Sequence, residues 1–294
     1  MGFRTVIIKS RAKLETRLNY LVIRGEKEQK VFIDEINTLI VQSTAVSLTV
    51  ALLRELTKRN IKVIFCDEKC NPTSELLPYY GAHNTSKRYK EQFLWKDDVK
   101  ARIWKRIIEE KISAQVKLLH KKGFTTQSDM LTEYAREILP GDVSNREGHA
   151  AKVYFNAILG EGNSRRGGGR KNIYLNYGYT VILSAFNREI VASGYLTQIG
   201  IWHDNEFNEF NLSCDLMEPI RPIVDELMLM MDENDDEYKK KLVAILNVGV
   251  KMEGKSTTLD VAIRQYVKSF FRAMNMGDEK QLVFPKDAKV EYEL

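Results

Sequence analysis

The sequence predicts an α+β protein: a β-rich, sandwich-like domain over residues 1–80, a linker over 81–90 and an all-α domain over 91–294. Three observations carry this reading. The first 80 residues break into short, strand-like apolar runs separated by charged or Gly-containing turns. Beyond Tyr80 the apolar residues recur at helical spacing over helical lengths. Between the two textures lies GAHNTSKRYK, which is polar and basic and marks the boundary.

Taken in order, RTVIIK, AKLETR, NYLVIRG, QKVFID and NTLIVQS read as strands. VSLTVALLRELTKRN reads as a helix that Asn60 ends, and IKVIFCD as the strand that follows. The second domain offers seven helices, beginning with one long helix over KRYKEQFLWKDDVKARIWKRIIEEKISAQVKLLHK. The others are SDMLTEYAREIL, REGHAAKVYFNAIL, YTVILSAFNREIVASGYLTQIG, PIVDELMLMM, EYKKKLVAILN and TLDVAIRQYVKSFFRAM. The tail after Gly277 has too little apolar content to anchor itself and is expected to be loosely held.

Composition narrows the function classes. A hydrophobic share of 44% in 294 residues supports a real core. No run approaches the roughly 18 apolar residues of a membrane span, and the N-terminus lacks a signal-peptide core, so a cytoplasmic protein without membrane contact is expected. Cys66, Cys70 and Cys214 form no repeated spacing and are expected to be reduced and structural. Between Ser86 and Lys122, twelve Lys or Arg face five Asp or Glu, a local excess that points to a polyanion partner, with a solvated helix face as the plainer explanation.

Three positions have the chemistry of metal ligands. Glu147 stands three residues after Ser144, as in a capping box, yet at 100° per residue it shares a face with Ala150, Ala151, Tyr154 and Ile158. A carboxylate on such a face needs a partner, and Gly148 beside it leaves room for a metal or a phosphate near the backbone. His203 follows Trp202 in a polar loop, where a lone histidine ordinarily caps a turn or is solvated. Glu218 precedes Pro219 in DLMEPIRP; Pro219 and Pro222 cannot donate to the carbonyls of Asp215 and Glu218, so a helix starts or kinks there. A carboxylate at a helix mouth stays ionised and held at a fixed angle, although a solvated face of an amphipathic helix explains the same residues. An O, N, O set of this kind suits Mg²⁺ or Mn²⁺ and leaves room for a phosphate oxygen.

Phosphate contact is the expectation for the glycine-rich stretch SRRGGGRKN, with Arg165, Arg166, Arg170 and Lys171, and for Arg221 on the polar face of the last helix mouth. The plainer alternatives are a flexible basic connector and a salt bridge from Arg221 to Asp225.

EGHAAKVYF, LNYGYTVILSAFNREIVASGYLTQIGIWH and NEFNLSCDLMEPIRPIVDEL resemble, in order and spacing, the universal integrase-endonuclease subunit of CRISPR adaptation in its short, type II form. RNIKVIFCDEKCNPTSELLPYYG at the end of the β-rich domain agrees with it. The resemblance implies a dimerising N-terminal domain and a helical catalytic domain with one divalent-metal site. Its ligands carry over to Glu147, His203 and Glu218, where relatives commonly have Asp at the last position; Asp215 is implied nearby but outside the ligand set. The implied function is that of an endonuclease and integrase, using Mg²⁺ or Mn²⁺, that joins the 3′-hydroxyl of a short DNA duplex to a repeat phosphodiester. The implied partners are double-stranded DNA (prespacer and CRISPR repeat), a second copy in a homodimer, a small ferredoxin-fold adaptation protein in a heterohexamer, and other type II adaptation proteins. Two competing classes stand beside this: a non-catalytic DNA-binding scaffold, and a metal-dependent hydrolase of small phosphates.

Overall fold

A computed structural model describes residues 4–68, 72–79, 84–160, 165, 167–232 and 234–290, and divides the chain into two compact units, 1–83 and 84–294. The first unit holds two four-stranded sheets. One has the order β1 (Arg4–Ile8), β5 (Ile36–Val41), β7 (Lys62–Cys66), β8 (Pro72–Leu76), with β1, β5 and β7 parallel and β8 antiparallel. The other has the order β4 (Glu28–Phe32), β3 (Tyr20–Arg24), β2 (Ala12–Arg17), β6 (Val46–Leu48). Leu14 and Leu21 from this sheet and Leu39 and Val63 from the first share one core with Leu52 and Leu56 of helix α1 (Val50–Lys58).

The helix begins four residues later than its periodicity suggests. Val46 and Leu48 instead pair with Ala12 and Leu14 of β2, and the Thr49 hydroxyl accepts the Leu52 N–H as the cap. Strand β8 was not expected from the sequence, where its mixed polarity gives no alternation.

The second unit is helical, with the fold class read from the sequence. Residues 85–90, expected within the linker, belong to helix α2 (Thr85–Phe93). That helix is tied to its own unit: the Gln92 side chain donates to the carbonyls of Leu196 and Ile199 and accepts the Leu196 N–H. The long first helix is interrupted at Leu94–Lys96, and α3 (Asp97–Lys121) runs on with Ile103, Trp104, Ile107, Ile108 and Ile112 buried. Helices α4 (Thr125–Arg136) and α5 (Arg146–Leu159) follow, and α6 (Arg170–Ala192) is buried along most of its length. It begins nine residues before the expected start and stops at Ala192 rather than near Gly200. Gly178 lets it approach its neighbours, since a Cβ there would collide with the Val224 side chain and come within 3.0 Å of Leu242.

Past a loop lie α7 (Asn211–Met217), a 3₁₀ turn over Glu218–Ile220 and α8 (Arg221–Met228). The proline pair thus breaks the helix where the missing N–H groups require it. Helices α9 (Tyr238–Val243) and α10 (Leu259–Met276) complete the set. The unit is not purely helical: β9 (Gly249–Met252) pairs with β10 (Lys255–Thr258) on one side and β11 (Lys286–Lys289) on the other. The segment after Gly277 is therefore anchored, with Leu282, Phe284 and Val290 buried and Phe284 packed on Tyr266. None of the helices is long and apolar enough to cross a membrane among the described residues.

Candidate functional site

The residues come together from the ends of helices. Glu147 lies in the first turn of α5, whose start is fixed by Asp142: its carboxylate accepts the N–H groups of Arg146 at 2.8 Å and Glu147 at 2.9 Å. The capping box expected from Ser144 does not form, because Asp142 already takes these donors and the Ser144 hydroxyl is buried without a partner among the described residues. The close neighbour of Gly148 is the Asn145 side chain, not a space left for a ligand.

Lys111 of α3 joins the two glutamates. Its Nζ lies 2.6 Å from Glu147 Oε1 and 2.6 Å from Glu218 Oε2, so these oxygens are no further apart than twice that distance. The Glu147 side chain is 25% exposed and the Glu218 side chain 3%, which makes Glu147 the member open to solvent. Burial pushes the Glu218 carboxyl up, but the Arg221 and Lys111 cations more than offset this and hold it below its usual range. Burial likewise pulls Lys111 down, and the two carboxylates outweigh it, so the lysine stays charged.

On the other side of Glu218, Arg221 Nη2 sits 3.0 Å from Oε1. The plainer alternative weighed for Arg221, a salt bridge to Asp225, gives way to this pairing, and its Nε is a buried donor with no partner among the described residues. The guanidinium lies 4.8 Å from the centroid of the Tyr179 ring, and that of Arg165 lies 5.1 Å from the same centroid. Asp225 instead accepts the hydroxyls of Tyr154 at 2.7 Å and Tyr179 at 2.5 Å. Burial raises its carboxyl to about 6 even against those two hydrogen bonds.

His203 is oriented by Asp215. This carboxylate, wholly buried, accepts the N–H groups of Ile201, Trp202 and His203, and its Oδ1 lies 2.6 Å from His203 Nδ1. The hydrogen bond to Asp215 raises the imidazole pKa against the opposing effect of burial, with Glu218 and Glu147 adding to the rise. A carboxylate at Nδ1 leaves Nε2 as the reactive nitrogen, and the ring is 41% exposed. Gly200 is required beside it, since a Cβ there would meet the carbonyl of His203 and come 2.7 Å from Asp215 Oδ2. Trp202 stacks on Trp104 of α3 at 5.4 Å and braces the loop.

The remaining phosphate candidates are dispersed. Arg165 donates to Asn172 and Asn176 as well as facing Tyr179. Arg170 faces Tyr174 and Asp236, and Lys171 donates to the Ile158 carbonyl. Arg166 lies outside the described residues, as does Cys70. Several of the cations of α2 and α3 are tied to nearby carboxylates, in Arg88–Glu91, Arg102–Asp98 and Arg106–Glu109 among others. Lys111 was missed in the sequence, where a lysine beside Ile107, Ile108 and Ile112 reads as an apolar stem with its charge in solvent.

Among the described residues no three His, Cys, Asp or Glu side chains are arranged to hold a metal ion. The donor chemistry nevertheless fits a cation, because the Lys111 ammonium already stands between two carboxylates as a stand-in ion. His203 lies within the electrostatic reach of both.

Residues 5–257 match the family model described as CRISPR associated protein Cas1. The chain belongs to the Cas1 family. A CRISPR-associated endonuclease Cas1 from Neisseria meningitidis serogroup C (strain 8013) is 29% identical to it over 294 residues, covering 97% of each chain. Solved structures share this fold, among them the two that follow. A casposase bound to an integration product matches with a TM-score of 0.76 at 20% identity, covering 99% of this chain and 95% of that one. A Cas6-RT-Cas1–Cas2 complex matches with a TM-score of 0.72 at 18% identity, covering 100% of this chain and 36% of that one.

Proposed function

We propose that the chain is a divalent-metal-dependent DNA endonuclease and integrase of CRISPR spacer acquisition, which joins the 3′-hydroxyl of a short duplex to a repeat phosphodiester. The observation that carries this reading is the convergence of Glu147 and Glu218 on one cation, with Arg221 paired to Glu218 and Asp215-held His203 within electrostatic reach of both. Family membership and the names of the relatives, an endonuclease and a casposase bound to its integration product, support the reaction class.

Glu147, His203 and Glu218 would hold Mg²⁺ or Mn²⁺, which when bound supplies Lewis-acid activation of a hydroxyl and charge stabilisation at phosphorus. Arg221 would bind a phosphate oxygen, a role its partly exposed guanidinium supports, and Arg165 adds positive charge across the Tyr179 ring. Asp215 fixes the His203 ring so that Nε2 can serve as a ligand or pass a proton. In the transfer, the 3′-oxygen forms the new P–O bond and gives up its proton. The repeat-strand oxygen leaves phosphorus and takes a proton, so the number of phosphodiester bonds is conserved.

The partners proposed are duplex DNA, a second copy held through residues 1–80, and a small ferredoxin-fold adaptation protein in a heterohexamer; the Cas1–Cas2 complex named above supports the last. The test is joining of a labelled duplex to a repeat-containing plasmid with Mn²⁺ and the small partner. The account expects a covalent product that a 3′-deoxy end or a chelator abolishes. Tight DNA binding without joining would leave a scaffold, and salt-insensitive cleavage of free nucleotides would leave a small-phosphate hydrolase.

A further inference from the structure

Lys111 is left without a task by the chemistry above. It sits in the middle of α3 on a buried face, with a side chain only 9% exposed, and among the described residues its ammonium meets Glu147 and Glu218. Three elements meet at this nitrogen: α3, the first turn of α5 and the 3₁₀ turn before α8. With no cation there, two neighbouring carboxylates would repel each other in a place that shuts out most water. Leaving a buried charge uncompensated is strongly destabilising.

A divalent ion wants the same oxygens. It takes carboxylate oxygens at about 2.1 Å, closer than the 2.6 Å of the ammonium, so both cations cannot occupy the space between Glu147 and Glu218. The lysine stem has rotatable bonds that let the ammonium move aside, which a planar guanidinium in the same place would do less readily.

We propose that Lys111 is a resident counter-cation that competes with the divalent ion for the Glu147–Glu218 pair. It keeps the pair assembled in the metal-free chain and withdraws as the ion enters, so that loading the site is an exchange of ammonium for metal. The inference rests on the metal reading of the site given above. Its consequence is a trade: the lysine lowers metal affinity and in return keeps three elements together when metal is scarce.

The test uses the full chain with Mn²⁺ as the probe. Lys111→Met keeps most of the unbranched side chain, one atom shorter, and removes its charge. Free Mn²⁺ followed by electron paramagnetic resonance during titration is expected to show binding tighter by about tenfold, within the range of coupling between two sites. The metal-free Tm of the variant should fall below that of wild type, and Mn²⁺ should raise it by more than it raises wild type. Equal or weaker Mn²⁺ binding by a folded variant would overturn the proposal. No Mn²⁺ binding by wild type would instead remove the metal site itself. Should the variant fail to fold, wild type carrying ¹⁵N at the lysine Nζ positions decides: a protected ammonium resonance is expected to vanish as Mg²⁺ saturates the chain. Its persistence at saturation would overturn the proposal.

Discussion

Asp225 shows how far a single buried carboxyl can be moved from its usual behaviour. Its pKa of about 6 in the folded chain, against an ordinary 3.8, means the folded state holds the proton longer than the unfolded state. Its contribution to stability is full below pH 4 and is lost as pH rises through about 6. Urea unfolding should therefore show wild type losing roughly 2 kcal/mol relative to Asp225→Asn between pH 4 and pH 7, at 1.36 kcal/mol per pKa unit. A difference that does not change with pH would contradict the assigned burial. Asp215→Asn is the companion case. The amide replaces one acceptor oxygen with an NH2 donor that faces backbone N–H groups, and His203 loses the carboxylate that raises its pKa, so its imidazole titration followed by NMR should move down.

These residues divide sharply in how legible they were. Glu218 drew attention because two prolines follow it, and Glu147 because an acid faced an apolar stripe; both arguments are local and need no tertiary contact. His203 was legible only in company, since an isolated loop histidine carries little information. Lys111 and Tyr179 were illegible for a physical reason. A lysine on an apolar helix face reads as a stem that snorkels to water, and a tyrosine reads as core. Only the packing of α3 against α5 and the 3₁₀ turn shows that this ammonium does not reach solvent.

At the scale of elements, the site depends on how helices begin and how closely they pack. Asp142→Ala removes the acceptor for two N–H groups at the start of α5, and should cost about 1 kcal/mol or more of stability in denaturant melts while loosening Glu147. Gly178→Ala pushes α6 away from α8, which carries Val224, and from α9, which carries Leu242; overpacking of this kind costs about 1–3 kcal/mol. A wild-type melting curve from that variant would show that α6 does not pack as described. Helix α5 was placed residue for residue from its periodicity, because amphipathic spacing and a clean Gly160 end coincide. Helix α6 was misplaced because it is buried on nearly all sides, which erases the stripe that period-finding needs. Strands β9 to β11 were missed because four-residue strands are shorter than any reliable alternating window.

For the whole molecule, division into two units separates a strand-rich part of the chain from the part that carries every candidate ligand. Several cations of α2 and α3 are held in ion pairs such as Arg88–Glu91 and Arg102–Asp98, whereas Arg221 and Arg165 flank one tyrosine beside the carboxylates and are the proposed phosphate contacts. Binding of duplex DNA should weaken linearly in log K against log salt, and Arg165→Ala should reduce that slope by about one phosphate contact. An unchanged slope would return the arginine to a purely structural role on Tyr179.

Glu147, His203 and Glu218 are proposed to act together on a phosphodiester. The most direct measurement is the rate of covalent joining by Glu218→Ala and wild type, at matched DNA occupancy and with Mn²⁺ present. The account predicts that joining by the variant falls by at least about a hundredfold while DNA binding is retained, consistent with loss of electrostatic stabilisation in the transition state. Joining at the wild-type rate by a folded, DNA-bound Glu218→Ala protein would contradict it.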